Sequence, residues 1–135
     1  MKPFKCNDMK KVILSIAILP LTMLMTSYAF AQVPERCTVE RINEELFEVS
    51  LFYEDGNLME KGLMIDGVFT GQWLRYNEIG VLIAEANFQN GAKDGVWRIF
   101  NNDGQIIYEM EYSRDVRIMA RSFDDSGTLV SYRTN

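Results

Sequence analysis

The feature that most constrains this chain is a repeat of 24 residues that runs through its last two-thirds. An aromatic residue followed four positions later by glycine occurs four times: Phe52 and Gly56, Tyr76 and Gly80, Phe100 and Gly104, Phe123 and Gly127. The glycines are 24, 24 and 23 residues apart. Units of this length are too small to bury an apolar face alone, so neighbouring units must pack against one another.

Each repeat contains the pattern of two β-strands. A second turn signal follows at Asp66-Gly67 and at Asn90-Gly91, and such pairs favour hairpin turns because glycine accepts a positive φ. After Gly104, the apolar side chains Ile106, Tyr108, Met110 and Tyr112 alternate with Gln105, Glu109 and Glu111. Alternation with period two is typical of a half-buried strand. We therefore predict an all-β fold, a single elongated antiparallel meander of stacked hairpins with about seven or eight strands.

The repeat also predicts the boundaries within the chain. We assign 1–31 to a signal peptide, 32–43 to an N-terminal tail and 44–135 to the repeat domain. Within that domain lie a half-repeat at 44–56, repeats at 57–80, 81–104 and 105–127, and a C-terminal strand at 128–135. The tail is polar and has no period, and a short helix there is an alternative.

The last repeat is degenerate. Ile118-Met119-Ala120 stands where the earlier units have Gly-x-Trp, and Ser113-Arg114-Asp115 lacks a turn glycine. End units have a single neighbour, so this divergence is expected. Three basic residues, Arg114, Arg117 and Arg121, cluster here in an otherwise acidic chain. They favour an edge strand protected by charge, and a docking patch for an acidic surface is the functional alternative.

The first 31 residues have the layout of a secretory signal peptide. The pair Lys10-Lys11 precedes an uncharged apolar run at 12–25, and Ala29-Phe30-Ala31 offers a small-x-small cleavage site. This order predicts cleavage after Ala31 and export to the periplasm or the medium. An uncleaved membrane anchor at 12–31 is the less favoured alternative, because Pro20 and polar residues interrupt the run.

The charge and composition exclude several classes of function. Cleavage would leave 10 basic and 18 acidic residues and no histidine. This net charge of −8 repels a nucleic-acid backbone and weakens attraction to anionic lipid. Without histidine there is no Ser-His or Cys-His dyad and no ordinary zinc site. We predict a protein that is not an enzyme, with no catalytic residue, cofactor or metal.

The carboxylates and the cysteine have simple interpretations. Glu60, Glu85 and Glu109 recur near the same place in successive units, which predicts a solvated ladder instead of the paired carboxylates of a glycan hydrolase. Aspartates before glycine favour turns, with calcium binding as an alternative. Cys37 would be the one cysteine left after cleavage. It is either a half-buried thiol or a bridge between two chains.

The repeat pattern resembles the MORN-repeat variant family, which includes YwqK-type antitoxins. The best match is Asn90-Gly91-Ala92-Lys93-Asp94-Gly95-Val96-Trp97, followed by Asp66 to Trp73, and the resemblance extends from Phe52 to about Tyr132. It implies an elongated, twisted sheet of stacked hairpins that associates with proteins or, in some members, with membranes. It implies no catalytic residue.

Aromatic residues recur in register and form either the core or an exposed groove. If that face is open, we expect Trp73, Tyr76, Trp97 and Phe100 to contact a partner. The predicted function is an exported, non-catalytic module that binds or scaffolds another protein at the bacterial cell envelope. A membrane-surface module and an antitoxin or immunity protein are the alternatives. A homodimer through an exposed sheet face or Cys37 is a further expectation.

Overall fold

The computed structural model describes residues 36–134, and these form a single sheet. Its strands are β1 (Arg36–Arg41), β2 (Leu46–Phe52), β3 (Leu58–Ile65), β4 (Val68–Tyr76), β5 (Leu82–Gln89), β6 (Ala92–Lys93), β7 (Gly95–Phe100), β8 (Ile106–Ser113), β9 (Val116–Phe123) and β10 (Leu129–Thr134). Over this range, no helix is long and apolar enough to cross a membrane. The signal peptide at 1–31, its cleavage site at Ala29 and Ala31 and the alternative anchor lie outside the described residues.

The strands are neighbours in space in the order in which they follow one another in sequence. The sheet order is β1-β2-β3-β4-β5-β7-β8-β9-β10, with β6 paired to β5 alone, and the neighbouring strands are antiparallel. The predicted all-β meander of hairpins is therefore confirmed. The sheet has ten strands, more than expected, because β1 extends it at the N-terminal edge and a bulge separates β6 from β7.

The predicted N-terminal tail at 32–43 is wrong over Arg36–Arg41, which forms β1. This strand pairs along its whole length with β2, from Arg36 opposite Phe52 to Arg41 opposite Phe47. Cys37 and Val39 turn inward and pack against the core. Two inward residues are too few to produce a recognisable period, so the pairing depends on the edge that β2 offers and not on a signal in β1 itself.

Four turns at one end of the strands repeat the same backbone hydrogen bonds. The glycine N–H of each turn donates to the carbonyl three residues earlier, as from Gly56 to Tyr53 at 3.0 Å and from Gly104 to Asn101 at 3.1 Å. These glycines have φ between +78° and +92°, which a residue with a side chain rarely adopts. Successive turns are also connected, because Asn57 Nδ2 donates to the Glu78 carbonyl at 2.8 Å.

The turns at the opposite end of the strands have two central residues, and both of these have a positive φ. Asp66-Gly67 and Asn90-Gly91 show this geometry, as their sequences predict. Arg114-Asp115 adopts it as well, with φ of +47° and +66°, although it has no glycine. The preceding turn holds it in place: the Asp115 N–H donates to the Lys93 carbonyl at 2.9 Å, and the Arg114 N–H donates to Asp94 Oδ2 at 3.1 Å.

One bulge explains why the last glycine spacing is 23 residues and not 24. The register between β3 and β4 shifts by two residues around 71–73. The register of β5 with β6 and β7 shifts by the same amount around 94–97. Between β8 and β9 it shifts by one residue, around 117–119. The last unit therefore lacks one bulge residue, and its turn retains the 24-residue spacing from Gly91 to Asp115.

A single apolar cluster holds the middle of the sheet together. Its buried members are Val49, Leu51, Met59, Met64, Phe69, Trp73, Ala86, Phe88 and Trp97. The Trp73 indole lies directly over Gly62, where any added Cβ would overlap the ring. Only glycine leaves room for the ring at that position. The cluster extends from β2 to β7, and Met110 and Tyr112 of β8 pack against it.

Candidate functional site

The aromatic residues of successive strands form a continuous series of ring contacts. Ring centroids lie 4.3 Å apart for Phe69 and Trp73, 5.2 Å for Phe69 and Phe88, 5.1 Å for Phe88 and Trp97, and 5.5 Å for Trp97 and Tyr112. Each of these tilted pairs contributes about 0.5–1.5 kcal/mol beyond its buried area. The series therefore stabilises the packing of one hairpin on the next.

Two of the four aromatic residues predicted to contact a partner belong to this core. Trp73 is 4% exposed and Trp97 is 8% exposed. Their indole N–H groups donate to the carbonyls of Leu63 at 3.0 Å and Asn87 at 2.9 Å. Of the two interpretations of the aromatic residues, core or exposed groove, Trp73 and Trp97 fit the core, because both side chains are buried and hydrogen-bonded. Tyr76 and Phe100 are half-buried outside the core cluster, and their role in contacting a partner stays a prediction.

A row of alternating charges crosses the sheet on the face opposite the core. Arg98 contacts Glu85 at 3.3 Å and Glu109 at 3.1 Å, and Arg121 contacts Glu109 at 3.0 Å. Partial burial of Arg98 lowers the pKa of its guanidinium, but the hydrogen bonds that it donates to Glu109 and Glu85 outweigh this effect and raise the pKa. In the same row, Lys61 contacts Glu48 at 3.0 Å. Exposed pairs of this kind contribute little singly and more as a network.

Glu60 does not belong to that row. It is paired with Leu51 and is 2% exposed, whereas the next residue, Lys61, points to the opposite face. The nearest charge is Arg75, whose Nη1 lies 3.1 Å from Glu60 Oε1. Within the described part of the chain, neither carboxylate oxygen accepts a hydrogen bond of good geometry. Burial raises the pKa of Glu60, and Arg75 only partly opposes this effect.

Glu85 and Glu109 share one face, as the predicted ladder requires, but their side chains are only 20% and 15% exposed and are ion-paired instead of solvated. Glu60 does not belong to the ladder. Because Glu60 lies on the other face, the three carboxylates do not share one cleft. The aspartates in turns bond to the local backbone. Asp124 Oδ1, for example, accepts from the N–H groups of Ser126 at 2.9 Å and Thr128 at 3.0 Å. Over residues 36–134, no group of three or more acidic or cysteine side chains is placed to hold a metal ion.

Cys37 does not lie in the structure as a free thiol. It is disulfide-bonded. The expectation of a lone thiol concerns the chain after cleavage at Ala31, so a bridge between two chains through Cys37 stays a prediction. Such a bridge requires that the present bond be absent or exchanged.

The last two strands differ from the rest of the sheet in exposure. All six residues of β10 are exposed, and β9 is exposed from Val116 to Ile118. The large apolar side chains that remain open here are Val116, Ile118, Leu129, Val130 and Tyr132, with exposed fractions between 40% and 65%. A shallow groove lies at this end of the sheet, lined by Arg117, Ile118, Met119, Tyr132, Arg133 and Thr134.

The charge of these two strands is also different. The strands β9 and β10 carry Arg117, Arg121 and Arg133 and no acidic residue, whereas 36–112 has six basic and fourteen acidic residues. Arg121 connects the row of charges to the exposed strand β10. It contacts Glu109 on one side and lies 5.7 Å above the Tyr132 ring on the other. We call the exposed set Arg117, Ile118, Val130, Tyr132 and Arg133 the C-terminal surface.

The sequence identified only part of this surface. The cluster of Arg114, Arg117 and Arg121 indicated a charged edge or docking patch. The exposed apolar side chains of β10 were missed, although the loss of Gly-x-Trp from the last repeat signals that its covering residue is absent. Alternation along the predicted C-terminal strand could not place Val130 and Tyr132 on one face, because the register with β9 shifts between Leu129 and Ser131.

The comparison with known families finds a match in two segments of the chain. Segments 48–66 and 93–114 match the family described as MORN repeat variant. Both segments are centred on a turn with the aromatic-x-x-x-Gly pattern, one joining β2 to β3 and the other β7 to β8. No curated protein and no solved structure matches the chain. MORN repeats are commonly non-catalytic modules that bind proteins or membranes.

Proposed function

We propose that this chain, two segments of which match the MORN repeat variant, is an exported, non-catalytic module that binds another protein at the bacterial cell envelope. The partner binds at the C-terminal surface and not at the tryptophan face. The single observation that carries this proposal is the contrast in exposure between the two regions. Trp73 is 4% exposed and Tyr132 is 54% exposed.

The geometry supports a binding role for this end of the sheet in two ways. Ile118 and Tyr132 line the same groove and are 40% and 54% exposed, and exposed apolar side chains that lie together are typical of interaction sites. Arginine and tyrosine are also the residue types that contribute most to protein interfaces. Both occur here next to each other, with the Arg121 guanidinium over the Tyr132 ring.

A membrane surface is the second candidate ligand. Three arginines and an exposed tyrosine at one end are the composition that favours anionic lipid headgroups. Flotation with vesicles that contain anionic lipid at low salt tests this candidate. Binding that depends on Tyr132 and Arg133 would favour the membrane, and its absence would leave the protein partner as the supported ligand.

The test of a protein partner is a quantitative capture experiment with the mature chain. A double variant, Ile118→Ser with Tyr132→Ala, removes exposed apolar area at the C-terminal surface. The matched control is Ile79→Ser, since Ile79 is 79% exposed in a turn elsewhere on the molecule. We expect the double variant to lose the captured protein and the control to retain it, with both variants folded. Equal capture by all three chains would contradict the proposed site.

A further inference from the structure

The geometry points to a specific mode of binding at this end. We propose that β10 accepts an extended, acidic segment of the partner protein as an added strand of the sheet. This inference rests on the proposed function, because it names the chemistry of the partner that the C-terminal surface binds. It adds two elements, backbone pairing along β10 and acidic side chains opposite the arginines.

The free edge of β10 is the first argument. Among the described strands, β10 pairs with β9 alone. The backbone groups on its other side therefore offer the donors and acceptors of an unpaired strand. Such an edge is a template for strand addition, and a bound strand gains affinity from main-chain hydrogen bonds. All six residues from Leu129 to Thr134 are exposed, so no described element covers this edge.

The side chains along β10 specify what an added strand must carry. Tyr132 is paired with Arg121 and Arg133 with Ala120, so these two side chains point to opposite faces of the sheet. An apolar side chain of an incoming strand would pack beside Tyr132. A carboxylate on its other face would lie next to Arg133, and the groove lined by Arg117 and Arg133 extends this basic site onto β9.

The local charge selects an acidic strand even though the whole chain is acidic. Within β9 and β10 there are three arginines and no acidic residue. Asp124 and Asp125 lie in the turn between the two strands, at the Leu129 end of β10 and about 13 Å along the strand from Arg133. The carboxylates of β8 lie two strands away from β10, a distance of about 10 Å. Charges farther apart than about 8 Å are largely screened at physiological salt. Glu109 is in addition already paired with Arg98 and Arg121.

A second copy of this chain does not supply the required charge. The two edge strands are β1 and β10. The sequence of β1 has Arg36 and Arg41 against a single acidic residue, Glu40, and β10 has Arg133 alone. Pairing of β10 with either edge of another copy would therefore bring like charges together. Residues 1–35 contain four lysines and only Asp8 and Glu35, so this segment does not match the basic edge either.

The test uses a synthetic peptide as the partner strand. The probe is an eight-residue peptide of alternating glutamate and valine with blocked termini, titrated into the mature chain. Two control peptides have lysine in place of glutamate, or methyl groups on every backbone nitrogen with the glutamates kept. We expect the acidic peptide to bind and both controls to bind at least about tenfold more weakly. Affinity should fall as the salt concentration rises.

Variants of the protein locate the binding. Arg133→Glu reverses a charge on β10, and we expect it to weaken binding of the acidic peptide by about tenfold or more. Arg36→Glu makes the same change on β1 and should leave the affinity unchanged. Bound peptide should also slow hydrogen exchange of amides in β10, which binding through side chains alone would not do.

Several outcomes would overturn the inference. Equal binding of the fully N-methylated peptide would exclude backbone pairing, and equal binding of the lysine peptide would exclude charge selection. Dimerisation of the chain through β10 without peptide would assign the edge to a second copy. If Ile118→Ser with Tyr132→Ala abolishes capture of a natural partner while the acidic peptide fails to bind, the proposed function stands and the inference does not. If neither capture of the natural partner nor binding of the acidic peptide depends on the C-terminal surface, the proposed function and the inference are both wrong.

Discussion

The middle of the sheet and its C-terminal end use the same hairpin with different side chains. In the middle of the sheet, Trp73 lies over Gly62 and opposite Ala86, and Trp97 lies opposite Met110. In the last unit, the small residue Ala120 lies opposite Met110 on its other side, and no tryptophan follows. The strand pairing continues to β10, but the series of aromatic ring contacts ends at Tyr112. The comparison teaches that the repeat determines the sheet, whereas large side chains determine which part of it is closed.

The turns lead to the same conclusion. Asn90-Gly91 and Arg114-Asp115 have nearly the same backbone conformation, although only the first has a sequence suited to it. The N–H groups of the second turn donate to the Lys93 carbonyl and to Asp94, and the Lys93 N–H donates to Asp115 Oδ1. The last, degenerate unit therefore retains the backbone conformation of this turn because it is hydrogen-bonded to the preceding unit.

The largest expected difference between the two regions is in aromatic truncation. Trp73→Ala should lower the free energy of unfolding by about 3–5 kcal/mol, because it removes a buried indole and leaves a cavity. Tyr132→Ala should change it by less than about 0.5 kcal/mol, because that ring is exposed. Chemical denaturation of both variants measures the difference. Equal losses would show that the C-terminal end is packed as tightly as the middle.

Enlarging the residue under the indole should have the next largest effect. Gly62→Ala places a methyl group within the space of the Trp73 ring, and such overpacking costs about 1–3 kcal/mol. The matched change on the exposed strand is Ser131→Ala, for which we expect less than about 0.5 kcal/mol. Denaturation midpoints compare the two. A neutral Gly62→Ala variant would mean that the indole moves away easily and that the core is loose.

A substitution in the turn at Arg114 should have a smaller effect and should raise the free energy of unfolding instead of lowering it. Arg114→Asn replaces a residue strained at positive φ with one that tolerates this region, and should stabilise the protein by up to about 1 kcal/mol. The reciprocal change in the middle unit, Asn90→Arg, should destabilise it by a similar amount. Thermal unfolding checks both signs. A stabilising Asn90→Arg would contradict the idea that the neighbouring turn compensates for strain at Arg114.

The smallest expected effect concerns the buried Glu60 and appears as a dependence on pH. Because burial raises the pKa of Glu60 in the folded state, the folded protein holds this proton more tightly than the unfolded chain does. Its contribution is present below the unfolded value of 4.5 and is lost as pH rises through the raised pKa.

Glu60→Gln should remove this part of the pH dependence, which unfolding measurements across the acidic range would reveal. Glu111→Gln on β8 is the matched control and should retain the wild-type profile. If both variants behave alike, Glu60 is not the group that carries the effect. The measurement also tests whether the core tolerates a charge there at neutral pH.

The sequence predicts the fold well because the fold follows from period and turn chemistry. Glycine spacing, Asp-Gly and Asn-Gly pairs and alternation gave the hairpins and their order. They did not reveal β1, since its pairing depends on the edge of β2. They also could not decide which face is buried, because the sequence pattern of an aromatic stripe is the same whether its side chains are buried or exposed. The burial of Trp73 and Trp97 depends on rings from four strands.

Strand-by-strand amide hydrogen exchange tests most directly whether the middle of the sheet is closed and its C-terminal end open. We predict that amides in β4 and β5 exchange only through global unfolding, whereas those of β9 and β10 exchange faster through local opening. Uniform protection from β2 to β10, equal to the global free energy of unfolding, would contradict this account. It would show that the last unit is as firmly held as the tryptophan-containing ones.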